Sequence, residues 1–245
     1  MVSLVIFDFD GTLFDTHESI GHTIKLTFQA LLPDSIPSPD EIHRLIASGA
    51  GLSDTFRALH PEQGLGPHQS SFEQSEELWI TTYRQLYSTH GQALIKPFPG
   101  AEELLGYLKK HEIPTAIVSN KGVAAVKVAL QRNGLAGCVP EDLIVGDKTV
   151  GAERKPHRAS FTAVLMPTLK RLGLGNWQTQ TDATGVLVVG DTVADIQFAK
   201  NIGAKAAWCQ YGYGDQDACH KLDPDFVVGS LAEVVDIVSK ENTTK

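Results

Sequence analysis

The sequence predicts an α/β protein, in which a parallel β-sheet is covered by helices on both faces and a helical segment is inserted after the first strand. From residue 97 onward, apolar segments of strand length alternate with segments of helical periodicity. This alternation is typical of parallel strands joined by right-handed helical crossovers. Residues 16–95 instead show helical patterns interrupted by proline and glycine, and no convincing strand.

The first strand is predicted over residues 3–8, an apolar and β-branched-rich run that ends at an acidic cluster. The insert after it is predicted to contain about four helices, because capping residues, prolines and glycines bound four periodic segments. These segments cover residues 19–32, 40–48, 52–59 and 71–88.

The remaining elements complete the alternation. Strands are predicted at 114–119, 142–146, 186–191, 205–208 and 226–228. Helices are predicted at 101–111, 121–133, 157–172, 193–202 and 230–239. We interpret residues 173–185 as a solvated loop and residues 240–245 as a frayed polar tail. The predicted organisation is therefore a core domain of residues 1–15 and 96–245 and a helical domain of residues 16–95. In such sheets, ligands bind at the carboxyl ends of the strands.

Composition excludes several classes of function. The chain has 245 residues, 42% of them hydrophobic, and a formal net charge of −8 without a basic cluster, which argues against nucleic acid and anionic membranes as partners. Its apolar runs have strand length, and the apolar N-terminus lacks a basic region, so we expect a buried strand there and no signal peptide. Three cysteines at spacings that suit neither disulfides nor zinc favour a reducing, cytoplasmic location.

The first polar cluster follows the first predicted strand. Asp8 and Asp10 are two residues apart, so in extended geometry their carboxylates project to the same side, and Gly11 lets the backbone turn away at once. A polar loop cap after a strand would have the same composition. The pattern favours a functional pair of carboxylates without excluding a purely structural cap.

A second acidic cluster ends the strand predicted at 186–191. Asp191 lies at the strand tip and Asp195 follows one helical turn later. Asp191 could simply cap the next helix. Two acidic strand tips in one parallel sheet would repel each other, however, unless a cation lies between them. Hard oxygen ligands of this kind suit Mg²⁺.

Two further segments carry groups that suit an anion. Ser119, Asn120 and Lys121 end the strand predicted at 114–119 and begin the next helix, where a hydroxyl and backbone N–H groups could hold a phosphate. Ser119 could equally be a plain helix cap. Lys155 precedes Pro156, which is predicted to start helix 157–172, and this lysine could bind an anion or remain in solvent.

Together and in this order, these segments resemble the four motifs of the haloacid dehalogenase superfamily of phosphotransferases. Residues 8–12 are similar to its nucleophile motif, Ser119 to the second motif, Lys155 to the third and residues 190–195 to the fourth. The resemblance spans nearly the whole chain and implies a Rossmann-like three-layer core. The helical insert looks like the C1-type cap of this family. Short segments look most like its phosphoglycolate-phosphatase-like branch, namely residues 97–100, 119–121 and 185–191.

The resemblance implies a Mg²⁺-dependent phosphoric monoester hydrolase. Asp8 would attack phosphorus and form an aspartyl-phosphate, and Asp10 would act as general acid and base. Mg²⁺ would be held by the Asp8 carboxylate, the Asp10 backbone carbonyl and Asp191, with Asp195 supporting it directly or through water.

The same resemblance assigns roles around the transferred group. Ser119 and the backbone N–H of Asn120 would hold the phosphoryl oxygens, with Thr12 of the first motif as a further substrate-binding residue. Lys155 would neutralise the nucleophile and the phosphoryl charge. A carboxylate can approach an anionic phosphoryl group only when cations offset their repulsion.

The insert is predicted to decide the substrate. Residues 47–52 resemble the cap loop that contacts the leaving group, so Gly49, Gly51 and Leu52 are predicted substrate contacts. This loop contains no Lys or Arg, which favours a phosphatase over a phosphomutase of the same superfamily, because a mutase must hold a second phosphate.

Two more functions are compatible with the same motifs. One is a biosynthetic phosphatase that acts on a phosphorylated or diphosphorylated metabolite, and the second is a catalytically silent scaffold. The expected partner is a small phosphorylated metabolite, with the protein a monomer or homodimer.

Overall fold

The computed structural model describes residues 1–61, 71–174 and 183–243. The chain forms two compact units. The first unit consists of Met1–Asp15 and Lys96–Lys245, and the second of Thr16–Ile95.

The first unit contains a large parallel sheet and a small ribbon. The strands of the sheet are β1 Leu4–Phe7, β4 Thr115–Gly122, β5 Ile144–Asp147, β6 Val186–Gly190, β7 Lys205–Cys209 and β8 Phe226–Val228, and those of the ribbon are β2 Phe14–Asp15 and β3 Lys96–Pro97. The six strands of the sheet follow the order β5-β4-β1-β6-β7-β8, and every neighbouring pair is parallel.

The order of the strands reverses at β1. The chain moves outward from β1 to β4 and β5, and then returns to β6 on the other side of β1. Ligand sites of open parallel sheets form at such a switch point, outside the carboxyl ends of the strands.

The central strands form where the sequence is continuously apolar. All four residues of β1 and all five of β6 are buried, as expected for parallel strands covered on both faces. Side chains of alternate residues point to opposite faces, so Leu4 and Ile6 join one hydrophobic cluster with Val186 and Val188. The parallel sheet and the insertion after its first strand confirm the predicted fold class.

Helices follow the strands of this unit: α5 Ala101–Lys110, α6 Val123–Arg132, α7 Met166–Arg171, α8 Val193–Ile202, α9 Gln216–Lys221 and α10 Leu231–Thr243. A π-helix, Ser160–Leu165, leads into α7, and a short 3-10 helix, Glu141–Leu143, precedes β5. Helices α7 and α8 supply side chains to the cluster on one face, whereas α5 and α10 pack against each other.

The second unit is helical. Its helices are α1 His17–Leu31, α2 Pro39–Ala47, α3 Leu52–Leu59 and α4 Phe72–Thr89, with 3-10 turns at Pro33–Ser35 and Gly91–Leu94. Its core is aromatic: the Trp79 ring lies 4.7 Å from that of Phe28 and 5.3 Å from that of Phe56, measured between centroids. Ser38 and Glu41 form a capping box that fixes the start of α2.

Strand β4 differs from its predicted bounds. It continues through residues 119–121 to Gly122, and α6 begins only at Val123. Val118 pairs with Val145 and Gly122 with Asp147, so β4 advances four residues while β5 advances two. The prediction that a helix starts at residue 121 is therefore wrong, because an irregularity of the β-bulge kind occupies these positions.

The segment around Pro156 also differs from the prediction. Pro156 does not start a helix: the backbone turns here, with the His157 N–H donating to the Arg154 carbonyl at 2.9 Å. The helical segment begins after it, where the Ser160 hydroxyl donates to the Glu153 carbonyl at 2.6 Å. Lys155 therefore does not lie at the positive end of a helix.

The polar C-terminal segment is more ordered than predicted. The final helix continues to Thr243, well into the predicted frayed tail, and the Val2 N–H donates to Asn242 Oδ1 at 2.7 Å. Most of the predicted loop 173–185 lies outside the described residues, but Ala183 near its end is buried. No described helix is both long and apolar enough to cross a bilayer.

Candidate active site

Asp8 lies directly after β1, at the centre of the sheet. Its backbone N–H still donates to the carbonyl of Val189 in β6, at 2.9 Å, so its position is fixed by the sheet. The side chain is about 10% exposed. Its Oδ1 oxygen forms an ion pair with Lys155 Nζ at 2.7 Å. A buried carboxylate held beside a single buried ammonium group is an arrangement that is typical of functional sites.

Lys155 connects two carboxylates in the interior. Its Nζ lies 2.7 Å from Asp8 Oδ1 and 2.5 Å from Asp195 Oδ1, and only 2% of its side chain is exposed. Its backbone N–H donates to the side-chain oxygen of Asn120 at 3.1 Å. The lysine is thus held in place by the end of β4, and not by the helix terminus that the sequence predicts.

Asp195 has both carboxylate oxygens engaged. Oδ1 accepts from Lys155, while Oδ2 accepts from the backbone N–H and the hydroxyl of Thr192, at 2.9 and 2.7 Å. This capping box closes the first turn of α8. This geometry lets Asp195 orient Lys155, while a direct contact between Asp195 and a metal stays a prediction.

Asp191 lies at the tip of β6 and is fully buried. Oδ1 accepts from the hydroxyl of Thr12 at 3.0 Å, and Oδ2 accepts from the backbone N–H of Tyr213 at 2.8 Å. A Cβ added to Gly11 or Gly212 would overlap this side chain, and Gly11 also has a φ of +79° that favours glycine. The two glycines therefore let the backbone approach closely on either side of the carboxylate.

Asp10 is paired with a lysine from the irregular end of β4. Its Oδ1 accepts from Lys121 Nζ at 2.9 Å, and the two side chains are 22% and 10% exposed. The sequence pattern places Lys121 beside Ser119 but indicates no role for it. Its contact with Asp10 depends on tertiary structure, since 111 residues separate the two in the chain.

Ser119 and Asn120 occupy the same end of β4. Ser119 is buried, and its hydroxyl oxygen accepts from the backbone N–H of Lys121 at 3.2 Å. Both residues line a cavity of about 300 Å³, together with residues of the loop after β5 such as Arg154. A cavity is therefore lined by the two residues that the sequence predicts to hold the phosphoryl oxygens.

The electrostatics of the site follow from its burial. Burial raises the pKa of Asp8 to about 7, the Lys155 ammonium opposes this shift, and the Asp195 and Asp10 carboxylates add to it. Burial and the neighbouring carboxylates of Asp195 and Asp8 hold the pKa of Asp191 well above its ordinary value. For Lys155, burial alone would lower the pKa, but Asp195 and Asp8 more than reverse this effect. Like charges are thus concentrated here at a cost in free energy.

These residues fit a divalent cation. Carboxylate oxygens of Asp8, Asp191 and Asp195, one from each residue, lie within 4.8 Å of one another. Within the described residues, three of the four aspartates of the site form ion pairs, and they share two lysines, Lys121 and Lys155. Two negative charges are left uncompensated when all six groups are ionised. Hard oxygen donors with this excess charge suit Mg²⁺.

The predicted substrate contacts of the second unit lie between α2 and α3. Gly49 has a φ of +68°, which lets the chain turn after α2, while Gly51 is the N-cap of α3 and Leu52 its first residue. Their contact with substrate stays a prediction. The corresponding role of Thr12 also stays a prediction, and the hydroxyl of that residue donates to Asp191.

Comparison with known proteins places this geometry in a family. The sequence profile of haloacid dehalogenase-like hydrolases matches residues 5–209, which include the four aspartates of the site, Ser119 and Lys155. The chain belongs to this family. It is thus a hydrolase built on the haloacid dehalogenase fold, as the motifs predicted.

Relatives of this haloacid dehalogenase-like hydrolase are phosphatases. The chain is similar to a phosphoglycolate phosphatase of Vibrio vulnificus, with 30% identity over 97% of this chain and 96% of the relative. It is also 29% identical to the pyrophosphatase PpaX of Halalkalibacterium halodurans, over 97% of both chains. These matches confirm the predicted branch of the family and the class of phosphoric monoester hydrolases.

The fold is likewise shared with solved structures. A haloacid dehalogenase-like family hydrolase of Streptococcus pneumoniae superposes with a TM-score of 0.73 at 23% identity, covering 97% of this chain and 98% of the second chain. At that identity the likeness concerns the fold alone.

Several supporting groups in this hydrolase were not predicted. The indole N–H of Trp208 donates to the Asp191 carbonyl at 3.0 Å, and the hydroxyl of Tyr211 donates to the Thr12 carbonyl at 2.8 Å. The segment with Tyr211, Gly212 and Tyr213 follows β7. The alternating glycines of this segment indicate a close approach of the backbone to another group. The sequence alone does not show that this group is Asp191, because that contact depends on the order of the strands.

Proposed function

We propose that the protein is a Mg²⁺-dependent phosphatase that hydrolyses a small phosphate ester through an aspartyl-phosphate on Asp8. The observation that best supports this proposal is the position of the Asp8 carboxylate and its contact with Lys155. The carboxylate is buried at the switch point of the sheet, and its Oδ1 lies 2.7 Å from a buried ammonium group. With Oδ1 paired in this way, the second oxygen of the carboxylate is available to attack an electrophile.

In the first step, an Asp8 carboxylate oxygen attacks phosphorus, and the bond between phosphorus and the leaving oxygen breaks. The electron pair stays on the leaving oxygen, which takes a proton from Asp10. Ser119 and the backbone N–H of Asn120 hold the phosphoryl oxygens in this scheme. Lys155 offsets the charge of the nucleophile and of the incoming phosphoryl group.

In the second step, water attacks phosphorus of the aspartyl-phosphate. The bond between phosphorus and the Asp8 oxygen breaks, and Asp10 takes the proton that the water loses. Inorganic phosphate leaves and both carboxyl groups return to their initial protonation states. The acid and base roles of Asp10 are worth on the order of 10²–10⁴-fold in rate.

The metal would be held by Asp8 and Asp191, with the Asp10 carbonyl as a further ligand and Asp195 supporting through Lys155. Bound Mg²⁺ would supply the positive charge that lets an anionic carboxylate and an anionic phosphoryl group approach each other. Thr12 and the backbone N–H of Tyr213 hold the Asp191 carboxylate in a fixed orientation. Such supporting hydrogen bonds orient metal ligands.

The relatives support a small phosphorylated substrate. Their names mention phosphoglycolate and pyrophosphate, which are both small anions. In this chain the loop of residues 47–52 contains no Lys or Arg, so we propose that substrates with a neutral or apolar leaving group react faster than those with a second phosphate.

The test combines activity with trapping of the intermediate. Release of phosphate is measured across phosphoglycolate, pyrophosphate, sugar phosphates, nucleotides and prenyl phosphates and diphosphates. Asp8→Asn should abolish turnover, because an amide cannot act as the nucleophile. Asp54→Asn, on the exposed surface of α3, is the matched control and should keep wild-type rates.

Beryllium fluoride with Mg²⁺ mimics the aspartyl-phosphate and should raise the melting temperature of wild type but not of Asp8→Asn. Turnover by Asp8→Asn above a few percent of wild type would overturn the assignment of the nucleophile. An isomerised product without free phosphate would indicate a mutase instead.

A further inference from the structure

Lys121 is a largely buried cation with no role in the scheme above. It extends from the irregular end of β4, where β4 advances four residues while β5 advances two. Bulges of this kind redirect side chains and are common next to active sites. Here the side chain reaches across to the loop after β1, where its Nζ meets Asp10 Oδ1 at 2.9 Å.

The contact distinguishes the two oxygens of Asp10. Within the described part of the chain, Lys121 is the sole side-chain donor to this carboxylate, and it donates to Oδ1. An ammonium group can only donate, so Oδ1 acts as its acceptor. The unprotonated oxygen of a carboxyl group is the stronger acceptor, so this contact favours a proton on Oδ2 over one on Oδ1.

We propose that Lys121 is the positioning residue that orients Asp10 toward the leaving-group oxygen. This inference rests on the proposed function, in which Asp10 protonates that oxygen as its bond to phosphorus breaks. By holding Oδ1, Lys121 fixes the carboxyl plane and presents Oδ2, with its proton, to the leaving group. Proton transfer is sensitive to such placement, because the donor must lie within hydrogen-bond distance of the oxygen that it protonates.

A positioning role for Lys121 predicts an effect that a purely structural role does not. An alcohol that is a poor leaving group needs its proton as the bond breaks, whereas p-nitrophenolate leaves without one. Loss of Lys121 should therefore matter most for the poorest leaving groups. Lys121→Met should reduce kcat/KM for an alkyl phosphate by about 10–100-fold and for p-nitrophenyl phosphate by less than about threefold.

The experiment measures kcat/KM for p-nitrophenyl, phenyl and glycerol phosphates with wild type, Lys121→Met and Lys121→Arg. Lys127→Met is the matched control, because Lys127 forms a comparable pair with Glu141 at 2.7 Å on the exposed surface of α6. Asp10→Asn, alone and combined with Lys121→Met, completes a double-mutant cycle. If Lys121 acts through Asp10, its loss should add no leaving-group dependence in the Asp10→Asn background.

The outcomes separate the role of Lys121 from the proposed function. A steeper dependence on the leaving group in Lys121→Met, with partial recovery in Lys121→Arg, is the expected result. Equal losses on all three substrates would overturn the inference, as would full additivity with Asp10→Asn. If Lys121→Met does not fold, Lys121→Gln replaces it, and a wild-type dependence on the leaving group in Lys121→Gln is the overturning result. Failure of the proposed function would look different, since Asp8→Asn would then retain turnover.

Discussion

Replacing Lys155 with methionine should destabilise the core unit strongly. Its ammonium lies 2.7 and 2.5 Å from two carboxylate oxygens, with 2% of its side chain exposed. At an effective dielectric constant of about 20, each contact corresponds to about 6 kcal/mol of Coulomb attraction. The desolvation of three charged groups offsets much of this. Removing one partner of a buried ion pair nevertheless costs about 3–5 kcal/mol, because the remaining charges stay buried and uncompensated.

Thermal unfolding of the metal-free protein measures this effect. For a domain of this size, about 2–4 °C of melting temperature is lost per kcal/mol, so Lys155→Met should melt about 6–20 °C below wild type. Lys127→Met, which removes an exposed ammonium from a pair at 2.7 Å, is the control and should change the melting temperature by about 2 °C or less.

A second substitution tests the electrostatic origin of the loss. Asp8→Asn in the Lys155→Met background removes one of the two uncompensated carboxylates and should recover part of the lost stability. If Lys155→Met melted within about 2 °C of wild type, or if Asp8→Asn added further loss, the buried ion pairs would not be what stabilises this part of the core.

The metal ligands, the cap loop and the buried nucleophile each allow a further prediction. Asp191→Asn should raise the Mg²⁺ concentration needed for half-maximal activity by roughly 10-fold or more; unchanged activity in excess EDTA would contradict a metal role. Leu52→Ala should change kcat/KM unequally among substrates, by roughly 10–200-fold in discrimination, and one common factor for all substrates would show that this residue is structural. The metal-free protein should lose stability as pH rises from about 4 to 7. The folded pKa of Asp8, about 7, lies above its ordinary value of 3.8. Between these two values Asp8 holds a proton in the folded state that it has released in the unfolded state, so the free energy of unfolding falls as the pH rises through this range. Melting curves with Asp8→Asn, which should flatten the pH dependence, test the last prediction.

The fold could be predicted because its signals are local. Continuous apolar strands such as β1 and β6 and the helical periodicities between them are visible in the sequence, and burial in a parallel sheet explains both. The carboxylates at the strand tips could be located for the same reason, since the ends of parallel strands share one edge of the sheet.

What could not be predicted depends on contacts between distant parts of the chain. The bulged end of β4 exists because β4 pairs again with β5 at Gly122, a register that no local pattern encodes. The contact between Lys121 and Asp10 follows from it. The hydrogen bond from Lys155 to Asn120 likewise requires the order of the strands, so the sequence pointed to a helix terminus instead.

The two-stranded ribbon of β2 and β3 determines how the helical unit is joined to the chain. These strands are antiparallel, with Phe14 opposite Pro97 and Asp15 opposite Lys96. The outgoing and returning segments are therefore neighbours, and a short turn could join them directly. Residues 16–95 are thus a single insertion between two paired strands. Replacing them with the corresponding residues of a relative, with the junctions in the ribbon, would exchange the helical unit and leave the sequence of the strand-end carboxylates and their lysines unchanged.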